Sequence, residues 1–182
     1  GELETLAWKE ALSIHTEKLP LTDDDALTAF VAAAGERMGA IPVMVCNGRS
    51  APVRKPLTEV TPEEWSCAFA ETLRTDWKAV LAALSYLERA QDPAVVLLTD
   101  SALHRPGPLE GVAAVCAAGV ESMTKTLASE LASRRIRVNA AALGGGVSDL
   151  ARAVLFLASQ AASYCTGTLL EAGNTDVREV EA

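Results

Sequence analysis

The stretch Gly39-Ala40-Ile41-Pro42-Val43-Met44-Val45-Cys46-Asn47-Gly48 decides the fold. Residues 41–45 form a continuous apolar run that is too short for a helix, and it reads as a strand covered on both faces. Just upstream, Thr22 is placed to cap a helix whose first turn holds Asp23, Asp24 and Asp25 at the positive end of the dipole. Leu27, Phe30, Val31 and Ala34 give that helix an apolar stripe, and Gly39 closes it. Downstream, Thr61-Pro62-Glu63-Glu64 is a capping box with proline at the first helical position, opening a helix predicted over 62–89. Strands follow at 94–99, 136–140 and 168–171, and helices at 110–133 and 148–159. At the front, 3–12 has a helical pattern and 14–20 reads as a short edge strand. Strands alternating with helices of this length pair in parallel through right-handed crossovers, which makes an α/β, doubly wound parallel sheet with helices on both faces.

The length of 182 residues suits one domain, and a chain of this size buries about two thirds of its unfolded surface. With 49% hydrophobic and 22% charged residues, the composition is that of a globular protein. A net charge of −8 leaves no global positive field to hold a nucleic-acid backbone or an anionic membrane. Cys46, Cys67, Cys116 and Cys165 match neither metal-ligand spacing nor a disulfide scaffold, and read as buried thiols of a cytoplasmic protein. No targeting segment or membrane span is expected.

The two long helices carry more apolar surface than a sheet requires. Along 62–89 one line runs through Leu73, Trp77, Val80, Leu84 and Leu87, and another through Trp65, Ala68 and Phe69. Along 110–133, Val112, Val115, Val120, Met123, Leu127 and Leu131 share a side, with Ala113, Ala114, Ala117, Ala118 and Ser122 on others. A second face lined with small residues permits close approach by another helix, so both helices are expected at an interface.

The chain resembles the short-chain dehydrogenase/reductase family. The matching pieces are residues 39–48, Pro56-Leu57-Thr58-Glu59 with Pro62-Glu63-Glu64-Trp65, residues 118–131, Arg135-Ile136-Arg137-Val138-Asn139-Ala140, residues 153–159 and Thr166-Gly167. Their order and spacing cover 22–174. The resemblance implies a Rossmann-like fold, a nicotinamide dinucleotide, and hydride transfer between a carbonyl and an alcohol. It divides the single domain 1–182 into a remnant of the dinucleotide-binding half at 1–21, a core at 22–175 and a charged tail at 176–182.

The resemblance also implies a catalytic set: a tyrosine whose pKa is lowered by a lysine one turn later, a serine that holds the carbonyl oxygen, and an asparagine that supports a proton-relay water. The tyrosine slot falls on Ala113, the lysine slot on Ala117, the serine slot on Asp100 with Ser101 beside it, and the asparagine slot on Thr72. None is intact. The glycine-rich turn that would anchor a pyrophosphate is not found, and Pro20 stands where an adenine-contacting acid is expected. Asn47, Gly48 and Arg49 remain of the cofactor-binding motif after the first strand, with a bulky cation in place of glycine. Only Gly144, Gly145 and Gly146 occupy the place of a long substrate-covering loop.

These departures imply a non-catalytic subunit that binds no cofactor itself. It would pair through helices 62–89 and 110–133, as a dimer or tetramer, with an active NAD(P)-dependent paralogue acting on an alcohol or ketone such as a hydroxyacyl thioester. Two alternatives stay open: an enzyme of altered acid–base chemistry using Asp100, with its pairing to Arg105 the deciding feature, and a ligand-binding module in the emptied pocket. His15 and His104 have no partner spacing, Asp23-Asp24-Asp25 lacks the calcium-loop pattern, and no metal is expected.

Overall fold

A computed structural model describes residues 13–49, 52–100 and 106–173. The predicted helix at 3–12, the tail at 176–182, and Ser101, His104 and Arg105 lie outside the described residues.

The elements are α1 (Asp24–Met38), β1 (Val43–Cys46), α2 (Pro62–Phe69), a π-helical turn (Ala70–Arg74), α3 (Thr75–Leu87), β2 (Ala94–Asp100), α4 (Gly111–Leu131), β3 (Arg137–Leu143), α5 (Val147–Ala158) and β4 (Leu169–Ala172). Among the described residues the four strands are all parallel, in the order β1-β2-β3-β4. Helices flank both faces: α3 and α4 cover one, with α1 outside them, and α5 covers the other. The fold is Rossmann-like, as expected.

Strand periodicity divides the core in two. Val95, Leu97, Val138 and Ala140 point into the larger cluster, with Val80, Ala83 and Leu87 of α3 and Val120, Leu127 and Leu131 of α4. Val96 and Ala141 point the other way, against Ala153 and Leu157 of α5. The expectation that the first strand is covered on both faces is corrected. Met44 and Cys46 face the larger cluster, whereas Val43 and Val45 are 39% and 45% exposed. The reason is that α5 packs against β2, β3 and β4 without reaching β1.

Several local expectations change for identifiable reasons. Residues 14–20 form no strand. Asp23, not Thr22, caps α1, its carboxylate accepting from the amides of Asp25 and Ala26 at 3.1 and 3.0 Å. Gly39 ends the helix at φ 77°, a left-handed conformation that favours glycine. The capping box at Thr61 and Glu64 is present. The sheet-facing line of α3 runs through Thr75, Asp76, Ala79, Val80, Ala83 and Leu87, so Trp77 turns outward. On α4, Cys116 and Ala117 are buried and Val115 is exposed. Of the four cysteines, Cys46 and Cys116 are buried and Cys67 is exposed.

Two polar devices lock the far end of the sheet. Arg137, buried at the start of β3, donates to the carbonyls of Leu157 at 2.8 Å and Ala162 at 3.2 Å and pairs with Asp92 at 3.3 Å. Buried Asn139 donates to Cys165 O and accepts from Thr168 N, which fastens the entry to β4. The three glycines after β3 are exposed and join it to α5, and the Gly144 amide donates to Ala172 O at 2.9 Å. A Cβ on Gly145 would lie 2.9 Å from Gly173 O.

Candidate functional site

The carboxyl ends of parallel strands in an α/β sheet are where crevices form, because the helices depart there and the loops splay. Here the ends of β1 and β2, the middle of the α2–α3 rod and the first two turns of α4 enclose a cavity of about 290 Å³. Asn47, Gly48 and Arg49 enter it from the end of β1, Thr72 from the π-helical turn, Asp100 from the end of β2, and Ala113 and Ala117 from α4. These seven positions therefore line a single cavity, whereas Pro20, Gly144, Gly145 and Gly146 lie away from it. Val53, Leu98, Leu109, Val112 and Val120 supply its apolar wall.

The π-helical turn gives the site its floor. A π-turn inserts one residue into the rod, and such bulges recur at functional sites. Thr72 Oγ1 donates to Ala68 O at 2.6 Å, and Thr75 Oγ1 donates at 2.9 Å to Ala70 O, which also accepts the Thr75 amide. The same turn brings Asp76 against the backbone after β1. Its Oδ1 accepts the Gly48 amide at 2.8 Å, and its Oδ2 is buried with no hydrogen-bond partner. Gly48 is required at this approach. A Cβ there would lie 2.6 Å from Thr72 O and 2.7 Å from Asp76 Oδ1.

Burial sets the electrostatics of this layer. Desolvation pushes the Asp76 carboxyl up to about 6, against the opposing pull of the Gly48 N–H. Burial pushes the Cys46 thiol well above its usual range, and the neighbouring Asp76 charge adds to the effect. Cys116 is raised by burial too, with the neighbouring Thr72 hydroxyl opposing. Both buried thiols are therefore protonated at neutral pH and are not nucleophiles. Of the two carboxylates lining the cavity, Glu110 accepts the Gly107 amide at 2.8 Å and braces the loop before α4. The other is Asp100, partly buried at the end of the central strand β2.

Sequence reasoning missed Asp76, Arg54 and Cys116. A signal for Asp76 was available. Thr72, Asp76, Ala79, Ala83 and Leu87 recur at helical spacing, placing the aspartate on a line that otherwise faces the sheet. Among the described residues no group of three His, Cys, Asp or Glu side chains is placed to hold a metal ion, and no helix is long and apolar enough to cross a membrane.

A family model described as enoyl-(acyl carrier protein) reductase matches residues 4–145. The chain is 27% identical over 179 residues to the 3-oxoacyl-[acyl-carrier-protein] reductase FabG of Thermotoga maritima, covering 84% of this chain and 72% of that protein. It is 29% identical over 179 residues to dehydrogenase/reductase SDR family member 4 of Homo sapiens, covering 82% of this chain and 64% of that one. In fold it is similar to a carveol dehydrogenase from Mycobacterium avium in complex with NAD, with TM-score 0.85, 22% identity and coverage of 93% and 77%. It is also similar to a short-chain dehydrogenase/reductase structure from Burkholderia xenovorans, with TM-score 0.87, 22% identity and coverage of 94% and 78%.

These relatives overturn two expectations from the sequence, that the chain is a non-catalytic subunit and that it binds no cofactor. The proteins it matches are reductases and dehydrogenases in their own right, and one structure of the same fold holds NAD. The physical error was to equate loss of an acid–base pair with loss of a site. Alanine at 113 and 117 removes two functional groups but leaves the cavity open.

Proposed function

The chain belongs to the short-chain dehydrogenase/reductase family, and from that premise we propose that it is an oxidoreductase acting on a carbonyl or hydroxyl group, with Asp100 moving the proton. One observation carries the reading: Asp100 sits at the end of the central strand and lines the same cavity as Ala113 and Ala117, where no phenol or ammonium competes for the substrate oxygen.

The described residues fit the reactive end of a nicotinamide coenzyme. The cavity opens at the carboxyl ends of β1 and β2, with Asn47 and Thr99 as polar groups beside an apolar wall. Asn47 and Thr99 would hold the coenzyme, which when bound supplies or accepts the hydride. Asp100 as an acid protonates the carbonyl oxygen in reduction, and as a carboxylate accepts the hydroxyl proton in oxidation. Thr72 is committed as a donor to Ala68 O and orients rather than protonates. Leu98, Val112 and Val120 exclude water from the reacting carbon.

Asp100→Asn keeps the shape and removes the acid. Turnover of small ketones with NADH or NADPH is expected to fall by about 100-fold or more, with coenzyme affinity retained. Unchanged turnover in that variant, or no turnover in the parent with either coenzyme, overturns the reading.

The two long helices support a subunit interface with a second copy of the chain, since Trp65, Trp77 and Leu81 of the α2–α3 rod and Val115 of α4 are exposed apolar side chains. Light scattering should give a dimer or tetramer that Trp77→Lys dissociates, and a monomeric parent refutes this.

A further inference from the structure

We propose that Arg49 and Arg54 hold the anionic end of the substrate, so that the cavity selects a small carbonyl compound carrying a carboxylate. The inference rests on the cavity being the reaction site, and adds the class of molecule it takes. Both arginines line the cavity. Neither makes an ion pair or hydrogen bond among the described residues; Arg37 and Arg135 are unmatched as well, but Arg49 and Arg54 are the unmatched pair that shares one cavity. The cavity's two carboxylates stand apart from this segment, Asp100 at the end of β2 and Glu110 against the Gly107 amide, so the two guanidinium groups are the cations the cavity offers to an anion.

The backbone beneath Arg49 is fixed. Gly48 is tied by its amide to Asp76, 28 residues away on α3, and packs against the Thr72 carbonyl with no room for a side chain. A guanidinium that starts from an anchored backbone loses less freedom on binding, and its planar fork matches a carboxylate through two parallel hydrogen bonds.

The same tether argues for carboxylate over phosphate. Phosphate sites in α/β folds use converging backbone amides. The Gly48 amide, the second after β1 and one of those such a site would use, already donates to Asp76. Size narrows the class again. A cavity of about 290 Å³ lies at the small end of ligand pockets, which suits a short oxo acid. With the carboxylate on the arginines of the segment after β1, the carbonyl is left to Asp100 at the end of β2.

Calorimetric titration of the full chain without coenzyme tests this, using 4-oxopentanoate, its methyl ester, inorganic phosphate and NADH as separate probes. The acid is expected to bind at least about tenfold more tightly than the ester at low salt, with the preference shrinking as salt rises. Arg49→Ala with Arg54→Ala should abolish the preference, while thermal unfolding is unchanged because both side chains are exposed. Asp100→Asn should keep the preference for acid over ester, so failure of the proton-transfer reading stays distinguishable from failure of this one. Equal binding of acid and ester, binding of neither, displacement by phosphate alone, or a double variant that weakens only NADH would each overturn the proposal.

Discussion

Replacing Asp76 by Asn isolates the cost of a buried carboxylate that the fold carries beneath its site. Asp76 is 1% exposed, one oxygen takes the Gly48 amide, and the other has no partner. Its folded pKa of about 6 lies above the ordinary value of 3.8, so the folded chain holds a proton that the unfolded chain has released between those two pH values. Stability from this group is therefore full below about pH 4, falls as pH rises, and reaches its floor above about pH 6. Two units correspond to about 3 kcal/mol at neutral pH, at 1.36 kcal/mol per unit. Asparagine keeps an oxygen for Gly48 and cannot ionise. Its amide nitrogen takes the place of the unpartnered oxygen, a burial cost similar to that of the protonated acid. The prediction is thus a difference between pH values. Urea unfolding at pH 4 should find parent and variant within about 1 kcal/mol, and at pH 7.5 the variant should be more stable than the parent by about 2 to 3 kcal/mol more than at pH 4. Parallel pH profiles for the two proteins would refute the argument, since they would mean that Asp76 is ionised at no cost.

Further outcomes follow from contacts of the same kind. Gly48→Ala drives a Cβ to 2.6 Å from the Thr72 carbonyl, and should cost about 1 to 3 kcal/mol in urea unfolding, relieved in part when Asp76 is also replaced by Ala. Arg137→Ala strips the carbonyls of Leu157 and Ala162 of a buried charged donor, with an expected loss of about 3 to 5 kcal/mol and early release of α5 in hydrogen exchange. Ala113→Tyr with Ala117→Lys places a phenol and an ammonium one turn apart in the cavity. It should raise ketone turnover by about 100-fold over the parent while lowering its dependence on Asp100.

The fold was legible because its signals are local. Short apolar runs at 41–45 and 94–99, the capping box at Thr61 and Glu64, and Gly39 at a left-handed φ each act within a few residues, and β1, α2, β2 and α1's end appear where they point. The errors lie where an element's environment is set by distant chain. Residues 41–45 read the same whether or not a helix covers both faces, and only the reach of α5 decides that Val43 and Val45 stay exposed. Likewise, the apolar line through Leu73 and Trp77 on the α2–α3 rod is as regular as the true sheet-facing line through Asp76, Val80 and Ala83, and packing against β1 and β2 chooses between them.

The site shows the same division at closer range. Matching motifs in order located Asn47, Thr72, Asp100, Ala113 and Ala117, five positions spread over 71 residues that converge on one cavity. What the matching could not supply was the meaning of the substitutions, because a slot that loses its usual group says nothing about the group that replaces it in space. Arg49 read as a defect in a glycine motif, yet its neighbour Gly48 is the residue held by Asp76, so the cation stands on a braced backbone. Asp100 read as a lost hydroxyl, yet it puts a carboxyl group on the cavity wall from which the phenol is missing. The π-turn at Ala70–Arg74 links these facts, since it sets Thr72 toward the cavity and Asp76 toward Gly48 on the same rod, and no residue within it announces the change of pitch. The contact between Gly48 and Asp76 is readable only once the rod's geometry is known, because sequence spacing never brings those two residues together.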